Sequence, residues 1–164
     1  MGEHPTPASI APPRVFLVVV DDSPEMQVAL RYAALRALHT GGKVALLFVI
    51  EKVGGAEWMA VADIIREERR EEAEEILAGH AAYVQQVTAQ IPIFHLREGE
   101  RRDEVLKLID EDPTISILVL GASTGSEGPG PLVSHLVGKL GGRMRVPITV
   151  VPGSLTPEQV AILA

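Results

Sequence analysis

At 164 residues, 46% of them hydrophobic, the chain is long enough to bury one full core unaided, and its lack of cysteine excludes disulfides, a thiol nucleophile and any Cys-based metal site. A net charge of −7 argues against a general affinity for nucleic acid or an anionic membrane, both of which need a basic face. Aromatic residues make up only 4%, so the interior must be built from Val, Ile, Leu and Ala, as in parallel sheets covered by helices.

Residues 1–13 contain Pro5, Pro7, Pro12 and Pro13 with few large apolar groups, and read as a flexible leader. They lack a basic segment followed by an apolar signal core, and no apolar run is long enough to span a bilayer, so a cytoplasmic location is expected. Val15–Val20 is a continuous β-branched and apolar run, the pattern of a strand covered on both faces. Ser23 then suits a helix N-cap, Pro24 the first helical position and Glu25 the positive end of the helix dipole. Met26, Leu30, Ala33, Ala34 and Ala37 form its apolar stripe, and Gly41-Gly42 stops it.

Val44–Ile50 reads as the second strand. After Gly54-Gly55 comes a long helix whose positions Ala73, Ile76, Leu77, His80, Val84 and Val87 recur at three and four residues. His80 is expected to be a satisfied core residue. The charge-dense segment Arg66–Glu75 offers the pairs Glu67/Arg70, Arg69/Glu72 and Arg70/Glu74 and reads as a solvated face. Pro92–Leu96 makes a third strand, and Gly99 leads into a helix carrying Val105, Leu106, Leu108 and Ile109 that closes at Asp112-Pro113. Ile115–Leu120 is strand four. A loop with Gly121, Gly125, Gly128 and Gly130 follows, then a helix over Leu132–Leu140 and strand five over Val146–Val151. Thr156 and Gln159 make a capping-box pattern that starts a short helix in the tail, 154–164.

Strands alternating with helices in this way require a single-domain, Rossmann-like doubly wound α/β sandwich over 14–153, with a five-stranded, mostly parallel sheet and helices on both faces. The ends of strands one and four should meet at the topological switch point, bringing Asp21 near Gly121. A glycine-rich strand-to-helix turn there is a natural anion site, because bare N–H groups and a helix start point at one spot.

The stretch from Arg14 to Gly153 resembles a universal stress protein domain. Four segments carry the likeness: Val18-Val19-Val20-Asp21-Asp22-Ser23, Leu46-Leu47-Phe48-Val49-Ile50, Leu118-Val119-Leu120-Gly121-Ala122-Ser123-Thr124-Gly125, and Val146-Pro147-Ile148-Thr149-Val150-Val151. In ATP-binding members of that family two spaced glycines, then a glycine with a small hydroxyl residue, wrap the phosphates, and an acid and a valine hold ribose and adenine. The resemblance implies those last two roles for Asp21 and Val49. Aligned on Gly121, however, the second glycine falls on Thr124 with Gly125 one place late, and Ser134 and His135 stand where the last pair belongs. The loop also carries Glu127, the donorless Pro129 and Pro131, and no Lys or Arg before Lys139.

The likeness therefore points to the branch that does not bind ATP. The expected function is a non-enzymatic stress-response or regulatory module without a cofactor, working through an unidentified client protein or small ligand. The alternative is an ATP-binding member with slow ATPase activity, in which Gly125 and Ser134 substitute for the missing glycines. Most of the family pairs through the last strand, so a homodimer is expected. Asp21-Asp22-Ser23-Pro24 also resembles the opening of a response-regulator receiver domain, but no phospho-acceptor Asp ends strand three and no Lys ends strand five. No phosphate-loop or dinucleotide fingerprint is complete, His4, His39, His80, His95 and His135 lack metal-ligand spacing, and neither Ser123 nor Ser134 sits on a nucleophile elbow.

Overall fold

The computed structural model describes residues 11–52 and 59–164. The leader reading of 1–13, apart from 11–13, and the Gly54-Gly55 break lie outside them. The elements are β1 Val15–Val19, α1 Pro24–Thr40, β2 Lys43–Ile50, α2 Met59–Thr88, β3 Ile93–Glu98, α3 Arg101–Glu111, β4 Ile115–Ala122, α4 Pro131–Gly138, β5 Ile148–Pro152 and α5 Pro157–Leu163. A short 3₁₀ turn, Gly141–Arg143, separates α4 from β5.

All four strand pairings are parallel, in the order β3-β2-β1-β4-β5. The unbroken apolar run of β1 is explained by its central place. Val15, Leu17 and Val19 face a core layer shared with Val105, Leu108 and Ile109 of α3 and Val133 and Leu136 of α4. Phe16, Val18 and Val20 face the opposite layer, with Met26, Ala29 and Ala33 of α1 and Leu77, Ala81 and Val84 of α2. Alternate residues thus serve two cores, which leaves no polar position in the strand.

Local signals act as their chemistry requires. Ser23 Oγ accepts from the Met26 amide at 3.2 Å, and α1 ends at Gly41, in the left-handed conformation with φ +67°. Thr156 and Gln159 close a reciprocal capping box at the start of α5. Of the three spaced pairs on α2 only Arg70–Glu74 closes, at 3.6 Å between exposed side chains. His80 is half-buried rather than enclosed in the core.

Several boundaries differ from expectation. β4 runs on through Gly121 to Ala122, because Gly121 and Ala122 still pair with Val151 and Pro152. β3 begins at Ile93 rather than Pro92 and extends past Leu96, since Arg97 and Glu98 pair with Val49 and Ile50. α4 ends at Gly138 rather than Leu140. β5 starts only at Ile148: Pro147 has no N–H to give the ladder, although its carbonyl accepts from Leu118 at 3.0 Å.

Candidate functional site at the carboxyl ends of the strands

The strand order reverses between β1 and β4, so the helices that follow them leave toward opposite faces and a crevice opens at their carboxyl ends. Asp21, just beyond β1, lies in this crevice. Its Oδ1 accepts from the Ser23 amide at 2.8 Å and the Ser23 hydroxyl at 2.5 Å, so half of the carboxylate fixes the turn into α1. Asp21 and Gly121 line one hollow of about 70 Å³ beneath the loop after β4, enough for a few water molecules. Asp21 and Val49 line a second, of about 300 Å³, bounded by Phe48, Ile76 and Arg69. The pairing of Asp21 with Gly121 is therefore as expected, and Val49 joins from the other side.

The remaining candidates disperse. Thr124, Gly125 and Ser134 are exposed and line none of these hollows. His135, half-buried on α4, borders a third hollow of about 180 Å³ between the first turns of α3 and α4. Gly121 has a packing reason for being glycine: a Cβ there would meet the Glu25 carbonyl oxygen of α1 at 2.2 Å.

Three of the loop's donors turn inward. The Ser123 amide donates to the Pro129 carbonyl at 3.0 Å, the Gly125 amide to Ser123 Oγ at 3.2 Å and the Gly128 amide to the Gly125 carbonyl at 3.4 Å. Gly128 and Gly130, at φ +97° and +105°, hold a backbone shape that side-chain-bearing residues rarely adopt. Glu127 is exposed and borders no hollow, so the repulsion expected from it is screened by water.

The residue missed by sequence reasoning is Arg101, the first residue of α3, which lines all three hollows. It supplies the positive charge that the loop lacks. The signal for it, an Arg two residues past the glycine that ends β3, gains meaning only when α3 is laid over the sheet. His80 of α2 is held below its ordinary pKa chiefly by burial, with the Asp21 carboxylate pulling the other way. Among the described residues no three His, Asp or Glu side chains gather as a metal site, and no helix is long and apolar enough to cross a membrane.

A parallel sheet flanked by helices, with a crevice at the switch point, defines the doubly wound α/β class, whose ligands sit outside the carboxyl ends of the strands. Within that class the chain belongs to the Universal stress protein family, whose model matches residues 13–152. Among solved structures it is similar to the universal stress protein UspA from Lactobacillus plantarum, at 18% identity and a TM-score of 0.73, covering 86% of this chain and 99% of that one. It is also similar to a universal stress protein in complex with cAMP, at 19% identity and a TM-score of 0.60, covering 86% and 98%. A universal stress protein family member from Arabidopsis thaliana with AMP bound gives 12% identity, a TM-score of 0.54 and coverage of 85% and 91%. At these identities the likeness concerns the fold. A search of curated proteins finds no match.

Proposed function

We propose that this protein is a non-enzymatic stress-response or regulatory module of the universal stress type, working in the cytoplasm through a client protein or small ligand, and that its crevice does not take ATP. The observation that carries this reading is the inward-turned loop: amides of Ser123, Gly125 and Gly128 are engaged within it, and Pro129 and Pro131 have none to offer. A triphosphate needs several converging donors, and amides already bonded can serve it only if the loop unfolds. Among the described residues the serines nearest the crevice are engaged locally, Ser23 Oγ donating to Asp21 and Ser123 Oγ accepting from the Gly125 amide, which fits a non-enzymatic role.

Calorimetric titration with magnesium ATP near neutral pH tests this. The expected result is no measurable heat; a dissociation constant below about 10 μM, roughly 7 kcal/mol of binding, would overturn it. The second reading, a nucleotide-binding protein with slow ATPase activity, is favoured by the roomy hollow over Val49 beside Asp21. It is also favoured by the cAMP and AMP carried by two structural neighbours. Acid extraction of protein purified from cells separates the two readings, because only the second expects bound adenine nucleotide.

A further inference from the structure

We infer that the outer face of α2 is a docking surface for a cationic amphipathic helix of a client protein. The inference rests on the reading of this chain as a module that works through a client, and it names the kind of client. α2 buries Ala73, Leu77, Ala81 and Val84 against the domain. On the side away from the core an exposed line runs from Val61 and Ile64 through Glu68, Glu71 and Glu75 to Ala78 and Ala82. These positions recur at alternating steps of three and four residues, the spacing of a coiled-coil seam. At the rise of an α-helix the line is about 31 Å long, room for three heptads of a second helix.

The sequence mixes charges along this segment, and the fold sorts them. Arg66 turns to Glu98 at 3.6 Å, Arg69 Nη1 donates to the Glu51 carbonyl at 3.3 Å, and Arg70 pairs with Glu74 at 3.6 Å. Glu68, Glu71 and Glu75, with Glu67 beside them, enter no ion pair among the described residues. Acids at these spacings repel one another along the helix, and a cationic partner relieves that repulsion. The ends of the line point to a protein rather than to loose counterions. Ile64 is 62% and Val61 47% exposed at one end, and the small Ala78 and Ala82 admit larger apolar side chains at the other. A second copy of this chain would set acid against acid along the seam, and nucleic acid or anionic lipid is repelled in the same way.

The test is titration of the full chain with a fluorescent synthetic helix of three heptads. Its seam positions carry, in order, Leu, Leu, Lys, Lys, Lys, Leu and Leu, a symmetric pattern that fits either orientation. Wild type should bind with a dissociation constant below about 100 μM in low salt, and at least about fivefold more weakly at about 0.3 M salt. Glu68→Lys/Glu71→Lys/Glu75→Lys should weaken binding at least about tenfold, and Ile64→Ser at least about threefold. Asp110→Lys/Glu127→Lys/Glu158→Lys makes the same charge change at exposed positions elsewhere and should leave binding within about twofold. A scrambled peptide of the same composition should bind at least about tenfold more weakly. No binding, equal binding of the scrambled peptide, equal binding by the folded seam variant, or an equal loss in the control variant each overturns the proposal. Should the seam variant fail to fold, wild-type amide resonances from Glu68 to Ala82 must still shift on addition of the helix, and unmoved resonances overturn it too. A wild-type mass in light scattering that falls on the seam substitutions would give the face to a second copy instead. Magnesium ATP titrated into the same sample keeps the two readings apart: absent peptide binding sinks this proposal alone, and ATP binding sinks only the reading of the crevice.

Discussion

Replacing Gly121 with alanine asks whether this glycine serves a ligand or the fold. The added Cβ would lie 2.2 Å from the Glu25 carbonyl oxygen and 2.6 Å from its carbonyl carbon. Both are backbone atoms in the first turn of α1, so no side-chain rotation relieves the clash and the helix start must move away from β4. Overpacking of this kind costs typically 1–3 kcal/mol, and a backbone obstacle places it near the top, about 3 kcal/mol. For a chain of this length that lowers Tm by roughly 6–12 °C, and it lowers the urea midpoint by about 1.5 M at a mid-range slope. Urea unfolding followed by circular dichroism measures it. Gly125→Ala is the control: its nearest contact, Ser123 Oγ at 3.5 Å, is ordinary, so the change should stay within about 0.5 kcal/mol. A Gly121→Ala midpoint equal to that of wild type would refute the packing argument.

Two further predictions concern pH and assembly. His80 and His95 are both held below the ordinary imidazole value of 6.5, first by burial, so their contribution to stability is full above pH 6.5 and lost as pH falls through their folded values. The loss is at most about 1.4 kcal/mol per pH unit for each ring, and less where water reaches it; a His80→Gln/His95→Gln double variant whose stability falls as steeply as wild type between pH 6.5 and 5 would contradict this. β5 forms one edge of the sheet with Val150 exposed, and α5 buries Val160 while leaving Ile162 and Leu163 exposed, so a homodimer through β5 is the expected state. Light scattering at micromolar concentration should give twice the chain mass, a monomer mass would sink the idea, and deletion of 156–164 should cost at least about 1.5 kcal/mol from Val160 alone.

The sheet was legible because its strands are buried on both faces: a run such as Val15–Val20 has no other reading, and Ser23-Pro24 and Thr156 announce helix starts through side chains that bond their own backbone. Ends set by partners were not legible. Nothing local to Arg97 or Ala122 says that the neighbouring strand continues beside it, whereas Pro147 carried the signal for a late β5 in its missing N–H. At the site, Asp21 and Gly121 could be brought together by topology alone. The exposure of Thr124 and Ser134 was not legible, since it depends on how the loop folds back on Pro129. Arg101 was invisible because charge was counted along the loop, while the crevice gathers it from another helix.

Arg145 gives the opposite end of the sheet a different character. Its Nε and Nη2 both donate to the Ile109 carbonyl, at 3.0 and 2.7 Å, and Nη2 also reaches the carbonyls of Asp112 and Ile115 at 2.9 and 3.2 Å. One side chain from the β5 approach thus ties the last turn of α3 to the first residue of β4, and charge-assisted bonds of this kind are among the stronger ones available at a surface. At the carboxyl ends, by contrast, the sheet passes into hollows and a self-bonded loop. Separation of α3 from β4 is thereby resisted at that end, whereas at the other the pairing of β1 with β4 stops at Val18 and Val119. Amide exchange should therefore be slow around Ile115 and fastest toward Ala122 along the same strand, so that whatever the crevice holds enters and leaves without disturbing the core.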